Sequence, residues 1–331
     1  MSALPRSHGG GAPILLDGAM ATELALRGYE LREPLFGAGA LLDDPALTEA
    51  VHWDYLLAGA QVLTCNSFGL HVATLAAAGL AARQAELAAR SVEILEQVRR
   101  RAFELDRSLA RFRVAGSISP RPQRGRSERS AVARAEYRSY ADHLAAAGVD
   151  LILLETFTEL GEVRFALQGL AGFELPVWLA VVAGMPVPGS TRPDGTHLLG
   201  GEPFAALTEL TSSDGAGERR VPDAVLINCT QIDAVPAALD AMIASVASPM
   251  PLGLCPHLGK RRYDGVWVDR IVEPDTFAEQ IRAWMQVRPR LVLAGACCGS
   301  RPAYIEAMKD WLQPDKEARE QAFIRLAELI P

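Results

Sequence analysis

The sequence predicts an α/β protein built as a closed (β/α)8 TIM barrel, and three observations predict it. Eight short apolar runs recur along the chain without polar alternation, as expected of parallel strands whose outer face is covered by helices. Helical patterns separate them, and a βα unit repeated eight times is the count of a closed barrel. The first run is followed by Asp17-Gly18-Ala19-Met20 and not by a Gly-rich dinucleotide turn, which favours the barrel over a doubly wound open sheet.

In chain order, Met1 to Ala12 is short and Gly-rich and lacks the apolar centre of a signal peptide, so it reads as a loose tail, residues 1–12. Residues 13–331 then form one barrel domain. The expected strands are Pro13–Leu16, Gln61–Thr64, Arg113–Gly116, Leu151–Leu154, Pro176–Val182, Ala224–Ile227, Pro251–Leu254 and Leu291–Ala294. Helical periodicity is expected over Ala81–Asp106, Arg134–Ala147, Glu159–Leu170, Ala234–Ala247 and Asp275–Val287, with a further helix opening at Pro302, a residue suited to a first helical position. The last stretch, Lys316–Ile330, reads as an amphipathic helix that either caps the barrel or pairs subunits in a homo-oligomer. Two connections read as rim loops: Ala183–Gly201, rich in Gly and Pro, and Ser119–Arg129, which carries Arg121, Arg124, Arg126 and Arg129. Those arginines are either a clamp for an anion or a solvated loop.

Composition bounds the function. The chain has 331 residues, 49% of them hydrophobic, enough for a large core. No apolar run approaches the ~20 residues of a membrane helix. A net charge of −7 argues against a nucleic-acid partner, which requires a basic face. A cytoplasmic location is expected, where the five cysteines stay reduced.

Barrel chemistry sits at the C-terminal ends of the strands. The residues there are Asp17, Cys65-Asn66-Ser67, Ser117, Glu155-Thr156, Asn228-Cys229, Cys255-Pro256-His257 and Cys297-Cys298, so all five cysteines are expected on one rim. The pair Cys297-Cys298 follows an apolar strand in Leu291-Val292-Leu293-Ala294-Gly295-Ala296-Cys297-Cys298-Gly299-Ser300. Adjacent cysteines are poor disulfide partners, but two thiolates on a Gly-flanked turn suit one soft metal ion such as zinc. Cys229, ending the strand Leu226-Ile227-Asn228, is the candidate third ligand. Cys65, Cys255 and His257 read as packing before they read as ligands.

These residues resemble the homocysteine S-methyltransferase family of zinc-dependent barrels. The resemblance runs through Leu15-Leu16-Asp17-Gly18-Ala19-Met20-Ala21-Thr22-Glu23-Leu24, His52 to Ala60, Asn66-Ser67-Phe68, Ala115 to Pro120, Ala147 to Glu155-Thr156, Ile227-Asn228-Cys229 and Gly295-Ala296-Cys297-Cys298-Gly299. It implies that Cys229, Cys297 and Cys298 bind Zn2+. It also implies that Glu155 and Asp17 take the ammonium of an amino-acid thiol, with Thr156, Asn66, Ser67, Phe68, Ser117 and Asn228 lining the substrate site. Two departures from the family stand out: its usual Gly-Gly-Cys-Cys is here Gly295-Ala296-Cys297-Cys298, and His257 stands in the turn after the seventh strand where the family commonly has asparagine.

Three thiolates leave a fourth metal position for a substrate thiol. A free thiol, with a pKa of about 8.5, is only a few per cent ionised at neutral pH, so full ionisation is worth at most ~30-fold. Orientation against the methyl donor supplies much of the rest. The expected reaction moves a methyl group from a sulfonium, S-methylmethionine or S-adenosylmethionine, to homocysteine, giving methionine. Thr156 after Glu155 matches the sulfonium-using branch of the family. Phe68 and Phe157 near the rim offer aromatic faces to such a cation. The rival readings are a betaine-dependent or other thiol methyltransferase, a barrel whose structural zinc is closed by Cys255 or His257, and a metal-free thiol redox protein.

Overall fold

The computed structural model describes residues 11–122, 129–184, 195–214, 217–261, 267–269 and 272–330. Eight parallel strands carry the fold: β1 (Ile14–Leu15), β2 (Val62–Thr64), β3 (Arg113–Ile118), β4 (Leu151–Phe157), β5 (Val177–Val181), β6 (Ala224–Gln231), β7 (Leu252–His257) and β8 (Leu291–Ala294). Each pairs with its neighbour in sequence from β2 through β8, and β8 pairs with β1. The ring closes where Leu16 bridges Val62 and the Asp17 amide donates to the Val62 carbonyl at 3.1 Å. This is the expected (β/α)8 barrel.

The strands begin where the apolar runs begin, but four of them outlast those runs. The sequence places the ends of β3, β4, β6 and β7 at Gly116, Leu154, Ile227 and Leu254; they continue to Ile118, Phe157, Gln231 and His257. Beyond the last apolar residue the backbone stays extended through irregular pairing, with register shifts between Leu154 and Phe157 and between Asn228 and Gln231. Polar residues at the barrel mouth hide this continuation from a hydrophobicity pattern. A short antiparallel pair, Gly259–Arg261 with Trp267–Asp269, follows β7 and was not expected.

Helices Gln84–Leu105, Ser130–Ala147, Leu160–Gly169, Val235–Ser245, Pro274–Gln286 and Pro302–Leu312 cover the outer face, all within a few residues of expectation or starting at the expected proline. The helix Pro45–Ala58 shows why its ends fall where they do. Asp44 accepts from the Leu47 amide at 3.0 Å, Pro45 occupies the first turn, and Gly59 leaves with φ +112°.

The core has two shells. Ile14, Leu16, Val62, Ala115, Leu153, Trp178, Leu226 and Leu293 fill the barrel, while a larger cluster lies between strands and helices. The helix Lys316–Leu329 contributes Leu326 to the inner cluster, followed by Ile330. Arg325 donates to the carbonyl of Ala12 just before β1, and Arg113 at the start of β3 donates to that of Ile330. The helix therefore plugs the mouth where the strands begin, which is the capping alternative. Side-chain alternation does the rest: Val62, Ala115, Leu153 and Leu226 face inward, so Thr64, Ser117, Glu155 and Asn228 face the same interior one layer nearer the C-terminal mouth.

Of the four arginines in the Ser119–Arg129 loop, Arg124 and Arg126 lie outside the described residues, and Arg121 is no solvated residue. Its side chain is 1% exposed and pairs with Glu162 at 2.8 Å. Most of the Ala183–Gly201 loop lies outside the described residues; Ala183 and His197 bridge to Leu198 and Pro203. Among the described residues no helix is long and apolar enough to cross a membrane.

Candidate active site

Three thiols converge at the C-terminal mouth. Cys229 Sγ lies 3.7 Å from Cys298 Sγ, and Cys297 Sγ lies 3.9 Å from Cys298 Sγ. All three sulfurs fall within 4.8 Å of one another. A tetrahedral metal with metal–sulfur bonds of about 2.3 Å has sulfur–sulfur edges of about 3.8 Å. The residues present therefore fit a soft, thiolate-bound ion without rearrangement.

Local backbone chemistry sets each ligand. Cys229 sits in the β6 irregularity with φ +47°, a conformation that L-residues avoid at a cost of ~1–3 kcal/mol. Cys297 opens a turn in which the Ser300 amide donates to the Cys297 carbonyl at 3.1 Å. Gly299 takes φ +82° at the third position while Cys298 does not have positive φ, the pattern of a type II turn that requires glycine there. The turn is anchored on both sides. Cys297 N donates to the Pro256 carbonyl and Leu258 N to the Cys298 carbonyl, at 2.8 and 2.9 Å, so β7 continues its pairing along the cysteine segment. On the other side Gly299 N donates to Thr22 Oγ1, and Ser300 Oγ accepts from Ala19 N, both at 3.1 Å. Ala296 is buried among core side chains and has no positive φ, so its methyl group is accommodated.

The thiols are electrostatically linked. Hydrogen bonds from Cys229 and Cys297 hold the Cys298 thiol well below its ordinary pKa. Cys297 is pushed up by its hydrogen bonds to Cys229 and Cys298 and then by burial. For Cys229 the contact with Cys297 pulls down, but Cys298 and burial carry the balance upward.

Two carboxylates share this mouth. Asp17 accepts from Thr64 N at 2.7 Å and from Thr64 Oγ1 at 2.9 Å. Burial pushes its pKa up to about 7 against those hydrogen bonds, and the charge of Glu155 adds to the rise. Glu155 accepts from Ser117 Oγ. Burial raises it also to about 7, opposed by Ser117 and reinforced by the charge on Cys298. The buried Asp17 and the partly buried Glu155, with Glu155 raising Asp17's cost of ionisation and Cys298 raising that of Glu155, form a bowl suited to a cationic group.

The remaining expected site residues divide. Thr156, at φ +65°, and Asn228 bond to each other between the two strand irregularities. Ser117 holds Glu155. Asn66 donates to the Gly37 carbonyl at 2.9 Å, and Ser67 Oγ donates to the Ser117 carbonyl at 2.8 Å, so both tie loops to the barrel. Phe68 is exposed and Phe157 fully buried. The cysteines do not all share the rim. Cys65 packs in the outer cluster, where burial lifts its pKa to about 12, and Cys255 lies inside the barrel beneath Gly295. A Cβ on Gly295 would meet Cys255 Sγ and Leu16 Cβ at 2.9 Å, so only glycine fits above that thiol. Sequence reasoning missed Thr64, although the inward alternation of Val62 and Thr64 points to it. It weighed His257, whose Nδ1 lies 3.8 Å from Cys229 Sγ, only as packing or as a fourth ligand of a closed zinc site.

Fold and site together define a TIM-barrel protein with a three-thiol cluster that could hold a metal ion at the C-terminal mouth of the barrel. The family model described as homocysteine S-methyltransferase matches residues 14–312. The homocysteine S-methyltransferase of Escherichia coli K12 is 31% identical over 310 residues, covering 89% of this chain and 94% of that protein. The homocysteine S-methyltransferase YbgG of Bacillus subtilis 168 is 29% identical, covering 90% and 94%. Among solved structures, the metallated homocysteine methyltransferase MmuM from Escherichia coli superposes with a TM-score of 0.73 at 28% identity, over 90% of this chain and 96% of that one. The chain belongs to the homocysteine S-methyltransferase family, and it is a methyltransferase.

Proposed function

We propose that this protein is a zinc-dependent methyltransferase that moves a methyl group from a sulfonium donor, S-methylmethionine or S-adenosylmethionine, to homocysteine. The observation that carries the reading is the trio Cys229, Cys297 and Cys298 at tetrahedral spacing, on the same mouth as Asp17 and Glu155. Zinc, when bound, supplies the Lewis acidity that keeps an acceptor sulfur ionised at neutral pH.

The protein's own residues do the rest. Cys229, Cys297 and Cys298 would hold the ion, and an acceptor thiol would take the position they leave. Glu155, braced by Ser117, and Asp17, braced by Thr64, take the acceptor's ammonium, which relieves the cost of ionising them in a buried site. This anchoring fixes the acceptor at both ends, so its sulfur meets the donor methyl in a limited set of directions. A sulfonium leaves as a neutral thioether and requires no acid, and the negative bowl favours a cationic donor. Displacement forms one C–S bond and breaks another with no proton transfer once the thiol is ionised. The five free cysteines accord with a reducing, cytoplasmic setting.

The closed-zinc alternative is disfavoured because His257 stands outside the cluster in which all ligand atoms lie within 4.8 Å of one another. A thiol-by-donor activity screen on zinc-loaded protein tests the proposal. Homocysteine should be methylated faster by S-methylmethionine, or second by S-adenosylmethionine, than by betaine at matched concentrations. Equal or greater turnover with betaine refutes the donor assignment, and no turnover with any donor refutes the acceptor.

A further inference from the structure

A metal centre of this kind faces a selectivity problem. The acceptor and the protein ligands all present thiolates to one electrophilic methyl group. If Cys229 attacked the donor, a C–S bond would form on Cys229 Sγ, the donor sulfonium would depart as a neutral sulfide carrying the bonding pair, and a ligand would be lost as a thioether.

His257 is placed to oppose this. It ends β7 opposite Gln231, so it faces the irregular segment of β6 that carries Cys229. Its ring is buried, and the backbone bonds from Cys297 N to the Pro256 carbonyl and from Leu258 N to the Cys298 carbonyl fix the chain on either side of it. Its Nδ1 lies 3.8 Å from Cys229 Sγ, within hydrogen-bond reach for sulfur. We propose that His257 is a positioning residue that donates an Nδ1–H···S hydrogen bond to Cys229, lowering the nucleophilicity of that ligand so that the methyl group goes to the acceptor sulfur and not to the enzyme. A hydrogen bond to a thiolate stabilises its charge and engages a lone pair that attack requires. The inference rests on the metal-thiolate methyltransferase reading above.

The test compares wild type, His257→Leu and His257→Asn. Elemental analysis first establishes zinc content. Each zinc-loaded protein is then treated with iodoacetamide, and modification of Cys229 is followed by peptide mass mapping. Cobalt-loaded samples report the sulfur-to-metal charge-transfer bands. His257→Leu should be alkylated at Cys229 about tenfold faster, near the lower end of what a charge-assisted hydrogen bond yields. Its charge-transfer bands should move to longer wavelength as the sulfur becomes a stronger donor. His257→Asn, which keeps an N–H of similar reach, should restore both. Equal alkylation rates and unmoved bands at full metal load overturn the inference while leaving the proposed function standing. Metal loss in both variants makes His257 a ligand and also overturns it. A wild type that binds no metal overturns the proposed function itself.

Discussion

Thr156 and Asn228 hold each other across β4 and β6. The Thr156 amide donates to Asn228 Oδ1 at 3.2 Å, and Asn228 Nδ2 donates to Thr156 Oγ1 at 3.1 Å. Each neighbours a functional group, Glu155 on one strand and Cys229 on the other, and both Thr156 and Cys229 occupy positive φ. The pair stabilises two strained backbones at once, so Glu155 and Cys229, the proposed ammonium-binding carboxylate and metal ligand, are positioned together.

Asn228→Ala should therefore cost more than a single surface contact. We expect a loss of about 1–3 kcal/mol, from two hydrogen bonds and an amide left without its acceptor. Metal affinity should fall as well, because Cys229 is freed to relax toward negative φ. Thermal denaturation and competition with a chromophoric chelator measure the two effects. Unchanged metal affinity would show that Cys229 is held by other contacts.

Replacing Cys297 or Cys298 with serine should abolish metal retention and methyl transfer while the circular dichroism of the barrel persists. The core clusters take no side chain from either residue. Elemental analysis decides this: full zinc content in either variant rules that residue out as a ligand.

Glu155→Gln should raise the KM for homocysteine by roughly 10- to 150-fold, the value of a charge-assisted contact of ~1.5–3 kcal/mol, with zinc content unchanged. A KM equal to that of wild type would assign Glu155 to structure, or the acceptor to another thiol.

The raised carboxyl at Asp17 predicts a pH signature in acceptor-free protein. Its folded pKa of about 7 lies above the ordinary 3.8, so its contribution to stability is fully present below pH 3.8 and is lost as pH rises through 7. Three pKa units correspond to about 4 kcal/mol as an upper figure. Asp17→Asn removes the charge and still offers an acceptor to Thr64 N. Its stability advantage over wild type should be small at pH 4 and grow to a few kcal/mol by pH 8. Urea denaturation at the two pH values checks this, and an advantage independent of pH would contradict it.

Much of the architecture was legible because each strand contributes one apolar run to a barrel buried on both faces. The convergence of the three thiols was legible for the same reason, since Cys229 and Cys297 each follow such a run. What the runs do not encode is direction. Cys65 and Cys255 also follow apolar runs, yet one points to the helices and the other into the barrel interior beneath Gly295, because pleating reverses the side chain at every residue and pattern-based boundaries are not that sharp. The contact between His257 and Cys229 depends on an irregularity in β6 that no hydrophobic pattern marks. Arg121 looked like loop charge because its partner Glu162 is distant in sequence and meets it only through the fold.

Cys229 and Cys298 stand 69 residues apart in the chain. Any ion gripped by both turns the last quarter of the barrel into a closed covalent-like loop that contains β7, β8 and the helices between them. By the chain-entropy argument used for disulfides, a cross-link of that span restricts the unfolded chain by about 4 kcal/mol. The same atoms that present a sulfur to substrate would thus act as a topological staple. Demetallation would then release the tie between the ends of β6 and β8 across β7.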